Sequence, residues 1–151
     1  MAHELEIEER VAILKRLKSH LLDQREKFQT YLNVLGKEEE SIRKGNIQAL
    51  QAQVEIEKSI VEEIYSLARV INPLQELYRM AYPLSEPEIP SLQKSLETIR
   101  TQVLAHNERN RNLLKESIAL IRQEIASLRT AKRPKSPFAD VPAPSMIDVR
   151  T

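Results

Sequence analysis

Residues 91–131, SLQKSLETIRTQVLAHNERNRNLLKESIALIRQEIASLRTA, contain neither proline nor glycine. Leu92, Leu96, Ile99 and Val103 recur at threes and fours, and so do Leu114, Ile118, Ile121, Ile125 and Leu128. That spacing lines one side of a helix with apolar side chains. At 1.5 Å per residue, roughly 40 residues make a rod about 60 Å long. Such a rod is not stable through its own backbone, so its apolar stripe has to be covered. The rest of the chain supplies part of that cover, and the excess length points to a second protein for the remainder. The stripe breaks once, at His106–Asn112, where Asn107 and Asn110 fall on or beside the apolar row. Two readings stand. The asparagines form a polar layer that fixes register, or they hydrogen-bond an incoming helix.

Composition agrees with thin seams between long helices. Aromatic residues make up 4% of the chain and Trp is absent, whereas a thick globular core is normally filled with rings. Two glycines in 151 residues leave few helix-weakening positions. Basic and acidic residues number 23 and 22 and are interleaved, which argues against a nucleic-acid module with its basic stripe. The Lys132-Arg133-Pro134-Lys135 cluster reads as a helix end and linker rather than a binding patch. Cysteine is absent, so disulfide and thiol chemistry are excluded. No stretch approaches the roughly 20 apolar residues of a membrane span. The first residues, MAHELEIEERVAILKRL, lack the basic and apolar blocks of a secretory signal, and a cytoplasmic location is expected.

Taken in order, the first helix is predicted over about 3–44, with Ile7, Val11, Leu14, Leu21, Phe28, Leu32 and Leu35 on its stripe. Gly36 bends or ends it, and the Lys37-Glu38-Glu39-Glu40 run reads as a solvated face. Gly45-Asn46 is the clear stop: glycine suits the left-handed position after a helix, and asparagine suits the next N-cap. A second helix follows over 47–71, carried by Ile47, Leu50, Val54, Val61, Ile64, Ala68 and Ile71. Lys58 falls in that row, where it either snorkels to solvent or pairs with a carboxylate across the bundle. Asn72, Pro73 and Gln75 read as a cap, a first-turn proline and a capping box, predicting a kink or a short fourth helix over 73–81. The proline-rich stretch 82–90 is a linker, with the long helix starting near Ser91 because Pro90 would otherwise lie inside it. Residues 132–151 carry Pro134, Pro137, Pro142 and Pro144 without helical periodicity, and are expected to be a disordered tail. Phe138, Val141, Met146 and Ile147 give that tail anchors of the size short docking motifs use, so it is either idle or a docking arm. The fold class expected is all-α: an elongated, coiled-coil-like antiparallel bundle of three long helices, a short fourth helix in the connection, and a flexible C-terminal tail.

Catalytic constellations are not found. His3, His20 and His106 are scattered, and no Glu-x-x-His pair offers the ligand spacing of a bundle metal site. Gly36 and Gly45 do not form a phosphate loop, and no serine or threonine sits in a nucleophile-elbow context. The carboxylates read as solubilising charges. A non-enzyme without a cofactor or metal is expected.

Two stretches resemble a known family. The Gly45-Asn46 turn leading into NIQALQAQVEIEKSIVEEI is similar to the middle of the FlgN family. VLAHNERNRNLLKESIALIRQEI, with Asn107 and Asn110 ahead of Leu113-Leu114, looks like that family's long helix. The likeness covers roughly residues 5–131. FlgN proteins are cytoplasmic chaperones of flagellar hook-associated proteins. The resemblance implies binding of the helical termini of those hook-filament junction proteins, protection from premature assembly, and delivery to the type III export apparatus. It carries over Asn107, Asn110, Leu113, Leu114, Ile118, Ile121, Ile125 and Leu128 as the substrate-facing stripe. The tail KRPKSPFADVPAPSMIDVRT departs from what can be matched. Phe138, Met146 and Ile147 are candidates for docking the export machinery on apolar size alone. The competing reading is a structural coiled coil or adaptor whose stripes are filled by a second copy, including another small helical component of flagellar export. An enzyme or metal protein is the third.

Overall fold

The computed structural model describes residues 6–82 and 86–131. Among them the chain is all-helical, in three long helices: α1 Ile7–Lys44, α2 Ile47–Ala81 and α3 Glu88–Ala131. Two compact units divide the chain, residues 1–114 and 115–151.

In the first unit α1 and α2 form an antiparallel hairpin. Ser41 Oγ donates to Gln53 Oε1 at 2.8 Å, Tyr31 Oη donates to Glu57 Oε2 at 3.1 Å, and Lys27 Nζ lies 2.7 Å from Glu63. One number of each pair rises as the other falls. The α1–α3 pairs keep a nearly constant offset instead. Lys18 meets Glu88 at 2.9 Å, Arg25 meets Ser95 at 3.4 Å, and Asn110 meets the Leu35 carbonyl at 2.8 Å. The first unit's part of α3 therefore runs parallel to α1. Leu17, Leu21, Ile71, Leu74, Ile89 and Leu96 make one core cluster. Tyr31, Val34, Leu35, Ile60 and Val103 make a second, with Phe28 packed against both. Mostly aliphatic side chains with few rings, Tyr31 and Phe28 among them, are what a narrow helical seam holds.

The hairpin turn is built from two residues. Gly45 adopts φ 68° and ψ 25°, the left-handed conformation that a side chain would strain. Its N–H donates to the Ile42 carbonyl at 3.2 Å, and the Asn46 N–H donates to Ser41 at 2.9 Å, which together form a Schellman motif. Asn46 then starts α2, its Oδ1 accepting from the Ala49 N–H at 3.1 Å.

The structure corrects three expectations. First, no separate fourth helix forms, because Pro73 lies inside a continuous α2. Proline removes the hydrogen bond to the carbonyl of Arg69, but Arg69, Asn72 and Pro73 are all exposed, so water can take that carbonyl. Ile71 and Leu74 are both buried and hold the helix in one row through the proline. Second, α3 starts at Glu88 rather than near Ser91. Glu86 caps it through both oxygens, to the N–H groups of Glu88 at 2.8 Å and Ile89 at 3.0 Å. Pro90 is the third helical residue, where no intrahelical N–H partner exists and none is lost. Third, the Lys37–Glu40 run is not uniformly solvated, since Glu38 is buried. Gly36 neither ends nor breaks α1, and Lys58 is exposed and pairs along its own helix with Glu55 at 3.3 Å. The expected beginning of the first helix at His3 and the tail 132–151, with Phe138, Met146 and Ile147, lie outside the described residues.

Candidate protein-binding surface

The apolar row predicted on the long helix divides at Leu113–Leu114. Asn107 and Leu113 are half-buried within the first unit, and Asn110 is buried. Asn110 Nδ2 donates to the main-chain carbonyl of Leu35 at 2.8 Å, and its Oδ1 is buried without a partner. The amide is thus engaged inside the chain. A buried contact of this kind is what the polar-layer reading of Asn110 calls for. Leu114, at the edge of the first unit, is 39% exposed.

The second unit is described as residues 115–131. Ile118, Ile121, Ile125 and Leu128 are between 41% and 55% exposed, and Leu120 is 58% exposed. Exposed apolar side chains also occur in the first unit, among them Ile7, Ile47, Tyr65 and Met80, but scattered ones are ordinary. Spacing sets the second unit apart. Steps of three, four and three residues place the four branched aliphatics in one unbroken row. A contiguous exposed row of this type is a candidate interaction surface.

Two polar groupings that the sequence reading did not find lie inside the first unit. In one, Glu38 lies near the hydrogen-bonded pair Tyr31 and Glu57. Burial pushes the Glu38 carboxyl up to about 8, reinforced by a hydrogen bond to Glu57 and by the Glu57 charge. The shift favours the protonated form of Glu38. The Tyr31 hydroxyl is also raised, first by burial and then by the Glu57 carboxylate that accepts its hydrogen bond. Glu38 Oε2 is left buried without a partner. A signal for this site existed: Tyr31, Leu35, Glu38 and Ile42 follow steps of four, three and four, so Glu38 continues the buried row.

In the other grouping Glu39 gathers three basic side chains. Its Oε1 meets His106 Nε2 at 2.8 Å and accepts from Arg109 Nη2 at 3.0 Å, while Oε2 accepts from Arg43 Nε at 3.2 Å. Burial pushes the Glu39 carboxyl up, but hydrogen bonds from Arg109, His106 and Arg43 outweigh it and hold the group below the usual carboxylate range. This cluster and the Asn110 bond tie α3 to α1 within the first unit.

The concavities among the described residues are surface depressions, such as the one lined by Leu22, Arg25, Glu26, Gln29, Ser95 and Ile99. No group of three or more His, Asp or Glu side chains there is arranged to hold a metal ion, and no described helix is long and apolar enough to cross a membrane.

No protein-family model matches the chain, and no solved structure matches it. It is similar to a protein of Treponema pallidum (strain Nichols), described as an uncharacterized protein. The two are 32% identical over 127 residues, which covers 84% of this chain and 82% of the relative.

Proposed function

The chain belongs to the same family as the Treponema pallidum protein. From its long helix we propose that it is a protein-binding chaperone that covers an amphipathic helical segment of another protein. The observation that carries this reading is the exposed row Ile118, Ile121, Ile125 and Leu128 in the second unit. Covering a half-exposed aliphatic side chain contributes roughly 1 kcal/mol. A few such anchors, offset by the cost of association, give an affinity that holds a guest and still releases it. Helix-in-groove recognition uses apolar anchors at this spacing.

The resemblance of the Gly45–Ile64 and Val103–Ile125 stretches to FlgN chaperones supplies the specific form. The guests are the helical termini of flagellar hook-associated proteins. They are kept from assembling in the cytoplasm and handed to the type III export apparatus, with Phe138, Met146 and Ile147 as candidate contacts to that machinery. On this reading the protein catalyses nothing and needs no cofactor.

The test is calorimetric titration of the full chain with the terminal helical segments of the same organism's hook-associated proteins. A one-to-one complex with low-micromolar affinity, lost in Ile121→Glu, is expected. No heat at tens of micromolar would remove the flagellar assignment. The heptad spacing of the same row favours one second reading, a self-associating coiled-coil adaptor. Light scattering separates the two, since the adaptor is a tight dimer that Ile121→Glu dissociates.

A further inference from the structure

Within residues 115–131 the apolar row has unlike flanks. Ile118 and Ile125 occupy the first core position of a heptad, and Ile121 and Leu128 the second. The position that follows the second core residue then holds Lys115, Arg122 and Arg129. All three are exposed and basic. Neither Lys115 nor Arg122 has an ion pair among the described residues. The opposite flank holds Ser117 and Glu124, with one charge. The outward face carries Ala119, Leu120, Ala126, Ser127 and Thr130 beside Glu116 and Gln123. The charged side chains closest to the row are therefore concentrated on one side of it.

We propose that the exposed face of residues 115–128 docks a single amphipathic helix of a partner protein whose row facing Lys115, Arg122 and Arg129 is acidic. This rests on the helix-binding reading above and adds the chemistry of the partner. The requirement holds for either direction of the guest. A parallel helix sets its own g positions against this basic row, and an antiparallel one sets its e positions there. In both cases carboxylates pair with the cations across the edge of the seam, and lysines repel them.

The same arrangement discriminates against a second copy. Antiparallel self-pairing brings the row Lys115, Arg122 and Arg129 against an identical row. Parallel self-pairing offers one favourable contact, Glu124 of one copy to Arg129 of the other, and sets Ser117 against Arg122. An acidic guest offers partners to Lys115 and Arg122 and keeps like charge away from Arg129.

Two fluorescein-labelled peptides of three heptads test the proposal, both with leucine at the core positions. One carries glutamate at both flanking positions and the other lysine. Each is titrated against the full chain by anisotropy at low and high salt. The glutamate peptide is expected to bind about tenfold more tightly at low salt, with the ratio falling toward one at high salt as screening sets in. Reversal of Lys115, Arg122 and Arg129 to glutamate is expected to invert the preference, with the circular-dichroism melt unchanged. Equal binding of both peptides, abolished by Ile121→Glu, overturns the charge proposal and leaves helix binding standing. Binding of neither peptide overturns the helix-binding reading itself. A chain that is dimeric at working concentration and becomes monomeric in Ile121→Glu assigns the face to a second copy and overturns the proposal.

Discussion

At Glu38 a single carboxyl makes stability depend on pH in an uncommon direction. Its pKa in the folded chain is raised to about 8, first by burial and then by Glu57, so the folded state binds its proton more tightly than the unfolded state does. The resulting stabilisation is fully present below the ordinary carboxylate pKa and is lost as pH rises toward 8. Glu38→Gln keeps the shape of the protonated group without the charge. Its advantage over the natural chain should be small at pH 5 and grow by on the order of 1–3 kcal/mol by pH 9, as read from urea unfolding at the two pH values. A constant difference would mean that Glu38 is ionised throughout. Asn110 makes a second residue-scale case. Leu35 lies inside α1, where its carbonyl also has the backbone donor four residues on, so the Asn110 amide is an additional partner. Asn110→Leu removes one hydrogen bond and one unpartnered buried oxygen together, and should change stability by no more than about 1 kcal/mol. Asn110→Asp turns a carboxylate toward that carbonyl in a buried site and should cost more than about 2 kcal/mol at pH 7, with the thermal midpoint recovering as pH falls and the group protonates.

At the scale of the helix, three residues with special backbone properties should respond with different signs. Gly36 lies in the interior of α1, exposed, with open space where a Cβ would stand. Gly36→Ala should stabilise by about 0.5–1 kcal/mol. Gly45 has the same open space but a φ of 68°, so Gly45→Ala should destabilise by about 1 kcal/mol through backbone strain alone. Pro73→Ala restores a missing helical hydrogen bond within α2 and should stabilise by about 1–3 kcal/mol in denaturant titrations. If Pro73 instead opened a helix, its removal would bring no gain. These residues also mark how far the sequence could be read. The Gly45-Asn46 junction is written in adjacent residues, because a left-handed cap and an N-cap are local chemistry. The three long apolar periods are equally local. Pro73 misleads because its cap-like neighbours are local while the forces that override them, burial of Ile71 and Leu74 against Leu17 and Leu21, come from another helix. Pro90 misleads for the opposite reason: the first turn of a helix tolerates proline, and the cap is Glu86. Glu38 was hidden by its charged neighbours although it kept the buried spacing. The polarity of Asn110 was plain, but its partner is a main-chain carbonyl 75 residues away, which no spacing rule encodes.

For the molecule as a whole, the two units differ in how far their apolar rows are covered. The first unit seals Leu17, Leu21 and Leu35 completely or nearly so, whereas the second leaves its isoleucines in water. Ile121→Glu combined with Ile125→Glu should therefore change the thermal unfolding free energy by less than about 0.5 kcal/mol, as surface changes do, while abolishing guest binding or self-association in light scattering. A large loss of stability in that double variant would show that the row is already covered within one chain. The Gly45 turn has a further consequence, for the order in which the chain assembles. Pairings between α1 and α2 begin at a separation of 12 residues, Ser41 to Gln53, and lengthen steadily away from the turn. Those between α1 and α3 start near 70. Short loops close first and long ones late, so the hairpin should zip from its tip during synthesis on the ribosome, with α3 joining last. Until Ile89, Leu96 and Val103 emerge, the nascent hairpin presents to the cell the same kind of open greasy groove that the finished protein is proposed to cover for others.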